Sequence, residues 1–107
     1  MAKRIPQTNP ISIDALDIIS YWGKVISAQR KLRGISLRDF AYRAHISLNT
    51  LQRIERGEHS VLASNYLNAL AVLHVMDRVF KSQDESLLKT REDVLRNLPP
   101  KDNEEYF

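Results

Sequence analysis

Eight basic side chains fall within residues 24–56: Lys24, Arg30, Lys31, Arg33, Arg38, Arg43, Arg53 and Arg56. Only Asp39 and Glu55 oppose them there. Such a stretch suits one chemistry well. It draws in a polyanion by charge and offers guanidinium forks to it. An unevenly charged, solvated surface is the plainer reading of the same residues. Residues 1–60 carry ten Lys/Arg and five Asp/Glu, whereas residues 61–107 carry six and eight. A net charge of +3 therefore hides a basic half and an acidic half.

Other side chains that could do chemistry are poorly arranged for it. His45, His59 and His74 have no spacing that suits a metal site. The pairs Asp84-Glu85, Glu92-Asp93 and Glu104-Glu105 sit on what read as solvated helix faces, with no pocket to tune them. There is no cysteine and no Gly-rich phosphate loop. The sequence thus predicts no catalytic residues, no metal and no cofactor. At 107 residues the chain makes one modest core, too small for a two-domain enzyme. No apolar run is long enough for a membrane span, and the start reads as no signal peptide, so a cytoplasmic protein is expected.

The elements that must position the basic residues are helices. Residues 1–12 are polar, with Pro6 and Pro10, and read as a flexible basic arm. Leu16, Ile19, Trp22, Val25, Ile26, Gln29 and Leu32 recur at three and four, which predicts an amphipathic helix ending before Gly34. Ser12 or Asp14 caps its start. Gly23 within it allows a close approach by a neighbouring helix. Ser36 opens a second helix, with Asp39 reaching back as in a capping box; Leu37, Phe40, Ala41 and Ala44 are its apolar side. After a break at His45-Ile46-Ser47, Ser47 caps a third helix over 48–56 with Leu51 and Ile54 inward, and Gly57 ends it. Two short helices across so tight a turn make a helix-turn-helix. Further helices follow over 63–74 and 76–80. In the last segment Leu87, Leu88, Arg91, Val94, Leu95 and Leu98 recur at helical spacing. A cap at residues 82–85 and a stop at Pro99-Pro100 would bound a sixth helix, with Glu85–Lys89 and Glu92–Arg96 as supporting pairs. The alternative is that this segment is disordered when alone.

The string Arg30, Gly34-Ile35-Ser36, Asp39-Phe40-Ala41, Ile46-Ser47 and Thr50-Leu51-Gln52-Arg53-Ile54-Glu55-Arg56-Gly57 resembles the Cro/CI-type helix-turn-helix regulators, also called the XRE family. The resemblance implies an all-α, lambda-repressor-like domain of five helices over residues 13–81, with the motif at 36–57 and an extension at 82–107. It implies a structural salt bridge between Arg30 and Glu55. Two positions depart from the family pattern. His45 stands where Gly is usual, and a histidine takes positive φ only at some cost. Leu37 stands where Gln often contacts the DNA backbone, a contact leucine cannot make.

On this resemblance the third helix enters the major groove. Its base-facing positions are Ser47, Leu48, Asn49, Gln52 and Arg53. Asn49 or Gln52 can pair with adenine, Arg53 with guanine, and Leu48 with a thymine methyl group. Arg38, Arg43, Thr50, Arg56 and Lys31 are the expected phosphate contacts. Arg33 either joins them or complements the end of the first helix. Lys3 and Arg4 either follow the DNA or form a plain tail. A homodimer on an inverted-repeat operator is expected, with Tyr66, Leu70, Val75, Met76 and Phe80 as interface candidates unless they fill the monomer core.

A narrower resemblance joins Leu51–Gly57 to the Leu/Ala-rich helix and to Met76-Asp77-Arg78-Val79-Phe80. These are similar to HipB-like regulators, dimers that bind operator DNA and a HipA-type kinase toxin together. Leu87, Leu88, Val94, Leu95 and Leu98 are then the candidate partner surface, or they pack on their own dimer. The resemblance implies a repressor that acts as an antitoxin. A protein-interaction module, a phage repressor and a controller of a restriction system are the alternatives.

Overall fold

Ser12, Ser36 and Ser47 start three helices by one device. Each hydroxyl accepts the backbone N–H three residues on, at 3.0 Å, satisfying a donor that a helix start leaves free. The helices that follow are α1 (Ile13–Leu32), α2 (Leu37–Arg43) and α3 (Leu48–Glu55), then α4 (Ala63–Val72) and α5 (Met76–Val79). The structure, a computed structural model, describes residues 11–80 and 84–98. All regular structure among these residues is helical, as expected for a lambda-repressor-like domain with a C-terminal extension. The basic arm with Lys3 and Arg4, the cap at Ser82 and the stop at Pro99-Pro100 lie outside the described residues.

The exits share a second device. After α1 to α4 the chain reverses through one left-handed residue, Gly34, His45, Gly57 and His74, with φ of 68°, 57°, 75° and 57°. Each reversal carries the same pair of backbone bonds. After α1 they run from Gly34 N–H to Lys31 O and from Ile35 N–H to Arg30 O. After α4 they run from His74 N–H to Ala71 O and from Val75 N–H to Leu70 O. This is the Schellman ending. His45 thus takes the positive φ that its position implied. His74 does the same where the sequence pattern kept it inside a helix, so α4 stops at Val72. The residue after each reversal is Ile35, Ile46, Glu58 or Val75. Three of these are apolar and join or pack on the core; Glu58 is the exception.

The core gathers Ile26 of α1, Phe40, Ala41 and Ala44 around α2, Leu51 and Ile54 of α3, and Tyr66, Ala69, Leu70 and Leu73 around α4, with Val61 and Val75. α3 lies against both α1 and α2, and α4 lies against α1. Gly23 makes the α1–α3 approach possible, since a Cβ there would run into the carbonyl oxygen of Ile54. Trp22 packs its ring between Tyr66 and Phe80, at centroid distances of 5.9 and 5.6 Å. These contacts correct the expected dimer surface. Tyr66, Leu70 and Val75 are buried within the one chain and offer no side-chain surface to a second copy. Met76 and Phe80 are partly buried against the same core.

Two polar clamps tie the helix ends together. Arg33, at the end of α1, donates its Nη1 to the Leu73 carbonyl at the end of α4, at 2.8 Å. Asn68 donates to the Ala44 carbonyl at the end of α2, at 3.3 Å. The expected capping box of α2 is half formed, because the Asp39 carboxylate turns to Arg43 instead, at 2.9 Å.

The continuous helix expected over residues 82–98 is in two pieces, a 3-10 turn at Glu85–Leu88 and α6 at Arg91–Arg96. Thr90 breaks it. It takes an extended backbone and exchanges reciprocal capping bonds with Asp93, both at 3.1 Å. Among the described residues neither Glu85–Lys89 nor Glu92–Arg96 pairs; Arg96 bonds Asp93 instead, at 3.0 Å. Leu87, Leu88, Val94, Leu95 and Leu98 are all exposed, the first two at 81%. The stripe that helical spacing implied is therefore cut between Leu88 and Val94.

Candidate nucleic-acid interface

α3 is built from opposite faces. Leu51 and Ile54 are fully buried, while Asn49, Gln52 and Arg56 are exposed. Asn49 lies three residues before Gln52 and four before Arg53, so all three share one face of the helix. Among the described residues, the amides of Asn49 and Gln52 make no side-chain hydrogen bond within the chain. Ser47 is differently placed. Its hydroxyl accepts from the Thr50 N–H and donates to the Thr50 hydroxyl, at 3.0 and 2.8 Å, so the cap occupies it. Leu48 is half-buried at the leading end of the helix.

The angle of α3 is held from behind. Arg30 on α1 gives Glu55 a two-point bond, Nε to Oε2 at 2.7 Å and Nη2 to Oε1 at 3.0 Å. Its Nη1 donates to the Ile35 carbonyl at 2.9 Å. The Arg30 side chain is 10% exposed and that of Glu55 is 11%. The bond to Glu55 raises the pKa of the guanidinium above its ordinary value, more than burial lowers it. A fork-to-fork pair of this kind fixes orientation as well as charge.

The basic rim is less free than the sequence suggests. Arg43 is paired with Asp39. Arg53 donates its Nε to Glu58 Oε1 and Arg56 donates its Nε to Glu58 Oε2, both at 2.9 Å. Arg53 Nη2 also donates to the Ser60 hydroxyl. The two guanidinium bonds hold the Glu58 carboxyl below the usual carboxylate range. Lys31 and Arg38 are exposed and make no ion pair among the described residues. Tyr42 is 82% exposed, four residues after Arg38 on α2, and its hydroxyl can donate to a phosphate.

Glu58, Ser60 and Tyr42 do not stand out in the sequence. For Tyr42 a signal is available, an aromatic residue off the apolar face of α2. For Glu58 the only signal is a charged residue directly after a helix-ending glycine, five residues from Arg53. Leu37 is half-buried and packs on the core, which fits its inability to serve as a backbone contact.

Residues 26–75 match the family described as Helix-turn-helix. Those residues form a helix-turn-helix domain. The domain spans from the middle of α1 to the reversal after α4, so it includes the Arg30–Glu55 pair and all of α3. Domains of this family belong to DNA-binding transcriptional regulators. No curated protein and no solved structure matches the chain. Among the described residues, no helix is long and apolar enough to cross a membrane, and no group of three or more His, Asp or Glu could hold a metal.

Proposed function

We propose that this protein is a transcriptional regulator that inserts α3 of its helix-turn-helix domain into the major groove of duplex DNA. The observation that carries this reading is the outward face of α3, where Asn49 and Gln52 present amides with no side-chain partner among the described residues. A buried seam and a two-point ion pair fix the helix behind them. Amide forks of this kind suit the N6 and N7 edge of adenine. Arg53 keeps N–H donors beyond those given to Glu58 and Ser60, and these suit guanine O6 and N7. Lys31, Arg38 and Tyr42 would anchor phosphates on either side, joined by Thr50 and Arg43 as their internal bonds exchange, while the bond to Glu58 leaves Arg56 a weaker phosphate contact than its position suggests.

One α3 spans few base pairs, so the reading includes a homodimer on an inverted repeat, with recognition helices about 34 Å apart. Met76 and Phe80 remain its interface candidates. Repression of its own gene completes the proposal. The test is footprinting of the DNA upstream of that gene. A protected inverted repeat is the expected result, with Arg53→Ala relaxing the preference at one position of each half-site. Protection of no sequence, or a footprint indifferent to Arg53→Ala, overturns it.

A second reading, a module that works mainly by binding another protein, is favoured by the exposed Leu87, Leu88, Val94, Leu95 and Leu98. The pairing with a HipA-type kinase rests on the sequence resemblance alone. Footprinting repeated with the neighbouring gene's product separates the two. Sharpened protection supports an antitoxin-like regulator, whereas tight protein binding without any footprint supports the interaction module.

A further inference from the structure

We infer that Glu58 is a positioning residue that sets DNA selectivity, by holding Arg53 and Arg56 away from the phosphate backbone. This rests on the reading of α3 as a DNA-recognition helix. Three observations place the carboxylate. Gly57 reverses the chain at φ 75°, which brings residue 58 back over the last turn of α3. The Glu58 backbone is then fixed on both sides: its N–H donates to the Arg53 carbonyl at 3.1 Å, and its carbonyl accepts the hydroxyl of the buried Tyr66 at 2.6 Å. From that anchored position the two carboxylate oxygens reach two different arginines, each at 2.9 Å. Ser60 adds a second bond to Arg53.

The consequence for DNA is chemical. A guanidinium bound to a carboxylate gains little by exchanging it for a phosphate, because one charged partner replaces another. On DNA of arbitrary sequence, Arg53 and Arg56 therefore contribute less counterion release than two unpaired arginines would. A matching base edge is different. Arg53 has five N–H donors, and Glu58 and Ser60 occupy only two of them. The remaining donors can meet guanine without breaking the bridge. The negative charge of Glu58 thus weakens binding everywhere and weakens it least where the sequence is right.

The test uses the full-length protein and a random-sequence 30-base-pair duplex, titrated with NaCl between 50 and 200 mM. Wild type, Glu58→Gln and Glu92→Gln are compared; Glu92→Gln removes the same charge from exposed α6. Glu58→Gln is expected to bind the random duplex on the order of ten-fold more tightly at the lowest salt. The slope of log K against log salt should steepen by about one to two for each α3 engaged. Glu92→Gln should leave the slope unchanged. Ser60→Ala removes one anchor of Arg53 and should shift the slope the same way by less, which keeps the inference testable if Glu58→Gln unfolds. Wild-type slope and affinity in Glu58→Gln overturn the inference while the DNA-binding reading stands. An equal rise in Glu92→Gln overturns it too, since charge alone would then suffice. If neither wild type nor Glu58→Gln binds DNA at 50 mM salt, the reading of α3 falls and the inference falls with it.

Discussion

Among the described residues Glu55 has one side-chain partner, Arg30, and that partner is nearly buried. Truncating Glu55 leaves the Arg30 guanidinium in the seam between α1 and α3 with, among the described residues, only the Ile35 carbonyl to receive it. A buried charge stripped of its counterion is costly, so Glu55→Ala should lose about 3 kcal/mol or more in urea unfolding. A strain of the opposite sign sits at the two histidine reversals. His45 and His74 hold φ of 57°, a region that penalises a Cβ by roughly 1 kcal/mol. Replacing either by glycine should raise the melting temperature by a few degrees, less what the freer unfolded chain takes back. Glu58 adds a pH term. Its folded pKa lies below its unfolded one because Arg53 and Arg56 bond its charged form. Its contribution is therefore complete above the unfolded value of about 4.3 and is lost as the pH falls through the folded value. Melting temperatures of wild type and Glu58→Gln should differ at pH 7 and draw together on acidification below about pH 4.

Between elements, the approach of α1 to α3 turns on Gly23. Alanine there gains up to about 1 kcal/mol of helix propensity. Its methyl group would meet the Ile54 carbonyl and lie 3.1 Å from the Gly57 nitrogen, both backbone atoms that cannot swing aside. Overpacking should win, with a net loss of about 1–3 kcal/mol on thermal unfolding. The sequence foretold this crossing because an interior glycine has few other uses in a helix. Serine caps and three-and-four spacing revealed α1 to α3 for the same reason, since both are local signals. The break at Thr90 was harder to see. Leu87, Leu88, Val94, Leu95 and Leu98 fit helical spacing whether or not one helix carries them, and only Thr90 with Asp93 marks a new start. The Arg53–Glu58 bridge was hidden for another reason. Within a helix, partners sit at three or four residues, and a five-residue pair forms only because Gly57 turns the chain back. Tyr66, Leu70 and Val75 turned out to fill the chain's own core for a third reason: periodicity identifies an apolar face but not which neighbour covers it, and α1 covers Tyr66 with Trp22. For the exposed 84–98 segment, packing predicts indifference. Leu87→Ser and Leu88→Ser should each change stability by no more than about 0.5 kcal/mol, and a larger loss in urea would mean that these side chains are covered in solution.

For the molecule as a whole, charge decides how it meets a polyanion, and the internal ion pairs redistribute that charge. Asp39, Glu55 and Glu58 together engage Arg43, Arg30, Arg53 and Arg56. Among the described residues of the basic stretch, Lys24, Lys31, Arg33 and Arg38 then have no carboxylate partner, and the proposed docking puts Lys31 at the end of α1 and Arg38 at the start of α2 against phosphates on either side of α3. These side chains should govern how strongly the protein holds DNA, and Asn49 should govern which DNA it holds. The two roles separate in one experiment. Lys31→Gln with Arg38→Gln removes two phosphate partners per chain, and the salt slope should become shallower by about 0.9 for each phosphate no longer neutralised. Base preference should not move, because phosphates carry no sequence. Asn49→Ala removes a neutral fork, so the slope should stay and discrimination at one base pair should fall by about 1–3 kcal/mol. Binding to a set of duplexes varied one position at a time, each at several salt concentrations, measures both. If Asn49→Ala flattens the slope, or the double substitution changes base preference, then α3 does not lie between these flanking cations on the DNA, and the docking orientation must be redrawn.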